Sequence, residues 1–316
     1  MRVLISGGFG LVGGRLGQHL HQAGHQVVLG SRTASSPPEW LREAEVVKMD
    51  WNDRDALAAV CAGGDVIIHA AGMNAQDSVA NPAEALAFNG VATARLLDAG
   101  CKARVKRFIY LSTAHVYGSP LEGTITEETC PRNLHPYATS HLAGESAVLY
   151  ATQRKQIEGI VLRLSNAFGA PAHVEANCWM LLVNDLCRQA VTLRSMTLRS
   201  IGLQRRDFIT LQNVSRVSAH MIDLPNNQIG DGLFNVGSGK SLWVIDMVEL
   251  IQTRCTEVLG YTPEIVRPQP AKGDESANLD YRIDKLLSTD FSLSGNPVLE
   301  IDDILRMCNE CCMGAN

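Results

Sequence analysis

Thr113, Tyr137 and His141 are the residues whose types and spacing suggest chemistry. Thr113 lies in Ser112-Thr113-Ala114-His115-Val116-Tyr117-Gly118, at the end of a predicted strand, and Tyr137 opens a predicted helix in Tyr137-Ala138-Thr139-Ser140-His141. His141 stands about one helical turn beyond Tyr137 and so shares its face. A hydroxyl, a phenol and an imidazole gathered beside a dinucleotide suit hydride transfer, in which a proton must leave or join an alcohol oxygen. A free phenol has a pKa of about 10. It therefore needs a nearby positive charge to act as a base at neutral pH.

Such a trio requires a scaffold that presents a dinucleotide, and the start of the chain reads as one. Val3-Leu4-Ile5-Ser6 is a short apolar run, and Gly7-Gly8-Phe9-Gly10-Leu11-Val12-Gly13 leads from it into a helical pattern ending near Gly24. A buried strand, a glycine turn and a helix are the parts of a dinucleotide site. Gly7, Gly10 and Gly13 keep side chains away, so a pyrophosphate can approach the backbone at the positive end of the helix. Phe9 and Leu11 complete that candidate loop. After a second strand, Val27-Val28-Leu29, the chain continues Gly30-Ser31-Arg32, with no acid where an NAD site usually places one. Arg32 suits a 2′-phosphate and Ser31 offers a hydrogen bond, so the expected cofactor is NADP(H), with NAD as the alternative.

A third strand over 46–49 precedes Asp50 and Trp51, candidates to border the adenine. A fourth, Asp65 to His69, opens into Ala70-Ala71-Gly72, whose small side chains let a cofactor pass close to the sheet. His69 reads as a satisfied strand-end histidine. A predicted helix over 82–100 carries Asn89, a further candidate for cofactor contact, and residues 105–111 form the next strand.

Composition narrows the partners. The 316 residues are 46% hydrophobic and 19% charged, ordinary values for a globular protein. A formal net charge of -5 with no basic stripe argues against a nucleic-acid surface. No apolar run nears the roughly twenty residues that span a bilayer, and Met1-Arg2 runs directly into the first strand without a signal segment. Nine cysteines without a regular framework read as reduced thiols. Cys308, Cys311 and Cys312 lack a partner pair at zinc spacing, so no metal is expected and that stretch reads as an ordinary helix. The expected location is cytoplasmic.

Taken in order, Ser6 to Gly13, His69-Ala70-Ala71-Gly72, Ser112 to Gly118 and Tyr137-x-x-x-His141 resemble the extended short-chain dehydrogenase/reductase family. More narrowly, the chain is similar to the nucleotide-sugar epimerases, dehydratases and reductases. The resemblance implies a Rossmann-type, doubly wound parallel α/β sheet with a smaller C-terminal substrate-binding lobe. The dinucleotide-binding domain is then expected over 1–165, with returning segments near 203–240, and the substrate-binding lobe mainly over 166–316. It also implies that Tyr137 exchanges a proton with a sugar hydroxyl and that Thr113 hydrogen-bonds the same oxygen.

Two departures from the family pattern matter. The family has a lysine where this chain has His141, and histidine titrates near 6.5. His141 can still bond the nicotinamide ribose, but it should lower the phenol's pKa less. Three readings stay open: a working enzyme with His141 in the lysine's place, a slow or inactive dinucleotide-binding regulatory protein, or a different motif register. Family 4,6-dehydratases carry an Asp-Glu pair after the Ser/Thr, whereas Ala114 and His115 stand here, so dehydration is disfavoured. His115 becomes a candidate for substrate contact.

In the second half, 159–164 is another strand, and Ser165-Asn166-Ala167-Phe168-Gly169 resembles the family's strand-end motif. Arg163 reads as structural. The resemblance assigns substrate contacts to Asn166, to Asn177 at the start of a helix reaching about Ala190, to Arg206 on the nucleotide diphosphate, and to Lys272. It implies a nucleotide-sugar substrate and a homodimer formed through the helices near 82–100 and 137–155. A 4-keto-sugar reductase is slightly favoured, with an epimerase recycling its cofactor close behind.

Overall fold

Val3, Leu4 and Ile5 are apolar on both faces of their strand, and the structure covers both faces: all three are at most 1% exposed. The structure, a computed structural model, describes residues 1–33, 36–269, 271 and 277–313. The first half runs β1 (Arg2–Ser6), α1 (Leu11–Gln22), β2 (Gln26–Ser31), β3 (Glu45–Lys48), α2 (Arg54–Cys61), β4 (Val66–His69), α3 (Ala75–Ala80), α4 (Pro82–Ala85), α5 (Thr93–Lys102), β5 (Arg107–Thr113), β6 (Gly123–Ile125), α6 (Pro136–Gln153) and β7 (Glu158–Leu164). The second half runs β8 (Asn166–Phe168), α7 (Leu182–Leu193), β9 (Ser195–Thr197), β10 (Arg205–Thr210), α8 (Leu211–Asp223), α9 (Asn226–Ile229), β11 (Leu233–Val236), β12 (Ser241–Trp243), α10 (Val244–Leu259), β13 (Glu264–Val266), β14 (Leu279–Tyr281), α11 (Asp284–Leu287) and α12 (Pro297–Met313).

Seven strands form one parallel sheet in the order β11-β7-β5-β4-β1-β2-β3. The chain winds outward from β1 to β3, then restarts on the other side of β1 with β4. That reversal opens a crevice beyond the carboxyl ends of β1 and β4, where such sheets bind ligands. The Rossmann-type α/β fold expected from the sequence is present. Alternate residues of each strand feed two cores. Val3 and Ile5 meet Leu16 and Leu20 of α1 and Val214, Val217 and Met221 of α8. On the other face, Leu4 belongs to the core formed with Leu57 of α2, Leu96 of α5 and Val148 of α6.

A third core joins α7, α10 and α12 through Leu186, Val248 and Leu305. Beside it β10 pairs with β8 and β12 in a three-stranded sheet. Among the described residues no helix is long and apolar enough to cross a membrane.

Two expected helices differ in detail. The helix over 82–100 is interrupted by a π-helical turn at Leu86–Ala92, where Thr93 Oγ1 donates to the Asn89 carbonyl at 2.7 Å. Such turns commonly occur at functional sites because they re-aim one side chain. The helix expected to start at Asn177 starts instead at Leu182, because Cys178 to Leu181 close a turn through a Leu181 N–H to Cys178 carbonyl bond at 3.2 Å.

Candidate active site

At the carboxyl end of β1, Gly7 has φ +71°, and a Cβ there would sit 2.8 Å from the backbone of Ala71, in the loop after β4. A Cβ on Gly13 would lie 2.1 Å from the Gly7 carbonyl oxygen. Both loops thus meet backbone to backbone, which only glycine permits. Gly10 precedes α1 without any side-chain cap, and the first turn holds no acid. Its leading N–H groups form a cradle that fits the pyrophosphate of a dinucleotide. Phe9 and Leu11, both partly exposed, flank Gly10.

His173 reaches this loop from far along the chain, and the sequence pattern carries no signal for that contact. Its Nε2 lies 2.8 Å from the Phe9 carbonyl oxygen, and its ring stacks on Trp40 at 5.5 Å with an interplanar angle of 2°. Phe9 meets Trp40 edge-on at 5.9 Å.

Ser31 ends β2 and Arg32 follows it, exposed, with no carboxylate paired to it among the described residues. The Ser31 hydroxyl accepts from the Thr33 N–H at 3.2 Å. Asp50 is exposed beyond β3 and accepts from the Asn52 N–H at 3.0 Å. Trp51 turns inward, with its ring 5.8 Å from His69 and 5.4 Å from Phe88.

Asn89 is 1% exposed, and its amide is already engaged: it accepts from Met73 N–H at 2.7 Å and donates to Ser140 Oγ at 3.0 Å. These bonds give Asn89 a structural role beside the expected contact with cofactor. Asn89 fixes the end of the Ala70–Gly72 loop, at Met73, against α6. His69 lies 2.5 Å from Ser6 Oγ and 2.8 Å from Thr93 Oγ1, both ring nitrogens satisfied as expected.

Thr113 ends β5, and its Oγ1 accepts from the His115 N–H at 3.1 Å. The first turn of α6 is capped by His135, whose Nδ1 accepts from the Tyr137 N–H at 3.2 Å. Tyr137 and His141 meet edge to face with centroids 4.6 Å apart. Burial raises the Tyr137 pKa, and the neighbouring Thr113 hydroxyl opposes that rise. His141 is 6% exposed, and burial lowers its pKa to about 4. It is therefore uncharged at neutral pH and supplies no cation to the phenol, a stronger departure from lysine than its free pKa implies. Its Nδ1 lies 2.9 Å from the Tyr110 hydroxyl, a partner that sequence spacing did not reveal.

A pocket of about 300 Å³ lies beyond β5, lined by His115, Leu121, Asn166, Gln204, Arg205 and Arg206 among others. Three of the expected substrate residues thus come together: His115, Asn166 and Arg206. Arg205 is held by the Ser241 carbonyl at 3.1 Å and by the Trp243 ring at 4.9 Å. Arg206 has no ion pair among the described residues, and desolvation lowers its pKa. His115 is lowered first by burial and then by Arg206. Beside Arg206, Asp207 is fully buried and accepts from Ser165 Oγ at 2.5 Å and from Ser238 N–H at 2.8 Å, which anchors β10. Asn177 is exposed in the loop before α7 and is not among the residues lining this pocket. Lys272 lies outside the described residues.

The model of the NAD dependent epimerase/dehydratase family matches residues 3–237. A dTDP-glucose 4,6-dehydratase of Streptomyces niveus is 29% identical over 269 residues, covering 81% of this chain and 78% of that protein. A UDP-glucose 4-epimerase of Corynebacterium glutamicum is 27% identical over 284 residues, covering 86% of this chain and 84% of its own length. In fold, the UDP-glucose 4-epimerase of Thermotoga maritima, solved with UDP-glucose, matches with a TM-score of 0.82 at 22% identity, over 99% of this chain and 100% of that one.

Proposed function

This chain belongs to the NAD-dependent epimerase/dehydratase family, and we propose that it is an enzyme reducing a keto group on a nucleotide-diphospho-sugar, with Tyr137 as the proton donor. The observation that carries this reading is the state of the site. Tyr137 has a raised pKa beside an uncharged His141, so its phenol holds its proton at neutral pH. A held proton suits donation to a carbonyl oxygen better than abstraction from an alcohol.

Gly7, Gly10 and Gly13 would hold the pyrophosphate, Arg32 and Ser31 the adenosine end, and His141 the nicotinamide ribose. The bound nicotinamide supplies the hydride. Tyr137 would give its proton to the sugar carbonyl oxygen, and Thr113 would donate a hydrogen bond to that same oxygen. Tyr137, a partly exposed residue, would regain its proton from water. Arg206 holds the diphosphate, and His115 and Asn166 line the sugar end. Because Arg32 is exposed and free of a carboxylate partner among the described residues, NADPH is the preferred donor. Ala114 and His115 provide no carboxylate pair for elimination of water.

A second reading, a 4-epimerase that keeps its cofactor, is supported by the epimerases among the relatives. Purified protein separates the two. Stoichiometric NADPH oxidation with a 4-keto-sugar supports the reductase; dinucleotide that survives gel filtration, with no net NADPH use, replaces it with the epimerase. Exposed Leu86, Val91 and Tyr150 lie on the 86–92 turn and on α6, where a homodimer would bury them. Sedimentation that gives a monomer removes that part of the reading.

A further inference from the structure

We propose that Tyr110 is a positioning residue that fixes His141 as the tautomer protonated on Nε2, so that a neutral imidazole presents a hydrogen-bond donor to the dinucleotide crevice. This rests on the reading that His141 holds the nicotinamide ribose.

A neutral imidazole has one donor and one acceptor nitrogen, and the partner of one nitrogen decides the role of the other. His141 Nδ1 lies 2.9 Å from the Tyr110 hydroxyl. Among the described residues its competing acceptors are the Asn89 carbonyl, at 3.4 Å, and the Thr93 hydroxyl, whose Oγ1 already bonds His69 Nε2 at 2.8 Å. The Asn89 carbonyl is already engaged by Thr93 Oγ1 at 2.7 Å. The shorter bond takes the Tyr110 proton, because hydrogen bonds weaken quickly beyond about 3.2 Å. Nδ1 of His141 is then the acceptor, and Nε2 carries the hydrogen.

Nε2 faces the Ala70–Gly72 loop: a Cβ on Gly72 would stand 3.7 Å from Nε2 and 3.6 Å from Cε1. Nε2 makes no hydrogen bond among the described residues, and an N–H there suits a hydroxyl oxygen of a bound ribose. The Tyr110 ring cannot readily turn away. It is 1% exposed and stacks at 5.5 Å on His69, which Ser6 and Thr93 hold from both sides. Tyr110 also stacks on His141 at 5.8 Å.

The test uses Tyr110→Phe, which removes one oxygen, in the full chain. Nitrogen-15 NMR of the labelled wild type is expected to show His141 protonated on Nε2, and the variant is expected to populate the Nδ1–H form. NADPH and NADH fluorescence titrations are expected to weaken about tenfold in the variant, with KM for the dinucleotide rising and kcat changing little. In a His141→Lys background, Tyr110→Phe is expected to leave that affinity unchanged, since no tautomer remains to be set. A wild-type spectrum with Nδ1 protonated overturns the proposal, and so does unchanged dinucleotide affinity in Tyr110→Phe. If the wild type binds neither dinucleotide, the proposed function fails instead, while the wild-type spectrum still decides the tautomer. The same spectrum decides if the variant does not fold.

Discussion

Glu145 of α6 and Arg163 of β7 form an ion pair at 2.6 Å with side chains 1% and 4% exposed. Ser112, one residue before Thr113, donates to the same carboxylate at 2.5 Å, and Arg163 stacks on the Tyr117 ring at 4.6 Å. One buried carboxylate thereby sets the strand that carries Thr113 against the helix that carries Tyr137 and His141. Removing one partner of such a pair strands a charge in the interior. Arg163→Met is expected to cost about 3–5 kcal/mol in urea unfolding, and Glu145→Leu combined with Arg163→Met is expected to recover part of that loss. A single variant that loses less than about 1 kcal/mol would deny the pair this role.

Tyr137→Phe isolates the proton from the scaffold. It is expected to lower kcat by about 10²–10⁴ while NADPH binding by fluorescence stays within threefold of wild type, roughly the scatter of a single neutral contact. Turnover that survives the substitution would move the acid to another group. Loss of NADPH binding would mean that the phenol supports the fold of the crevice.

Arg206 makes opposite predictions for binding and stability. Arg206→Gln removes a cation that burial already disfavours, so the melting temperature is expected to hold or rise. Affinity for nucleoside diphosphates, followed by calorimetry, is expected to fall about 10–100-fold through loss of a charge-assisted bond. Unchanged affinity would take the diphosphate away from this arginine.

Stability should decline in weak acid. Burial lowers His69 to about 3 and His141 to about 4, against about 6.5 in the unfolded chain. As pH falls below 6.5, the unfolded state binds protons that the folded state refuses. The stability present above that pH is then lost progressively until the folded pKa values are reached. By pH 5 each histidine is expected to have removed about 2 kcal/mol. Chemical denaturation at pH 7.5 and pH 5 measures the loss, and His141→Gln should reduce it. An equal loss in that variant would assign the effect to other groups.

Much of this arrangement was legible in the sequence because it is local. The glycine loop, the strand carrying Thr113 and the helix carrying Tyr137 and His141 each lie within a few consecutive residues. His115, Asn166 and Arg206, singled out by comparison with the family pattern, line one pocket. What spacing could not give was packing. The π-turn at Leu86–Ala92 turns Asn89 onto Met73 and Ser140, and no periodic pattern announces it. Asn177 was misplaced because the turn at Cys178–Leu181 delays the helix. Tyr110 lies in the strand expected over 105–111, and nothing in that pattern announces the bond between its hydroxyl and His141.

The guanidinium of Arg15 on α1 grips Glu300 on α12 through bonds of 2.9 and 3.1 Å, joining positions 285 residues apart, and the Glu300 carboxylate also accepts from the Gln212 N–H at 2.8 Å. On the ribosome, then, the first helix emerges long before its brace is made. The nascent crevice stays unsupported on that side until Glu300 has been synthesised, so nascent chains stalled short of residue 300 should capture dinucleotide more weakly than released protein.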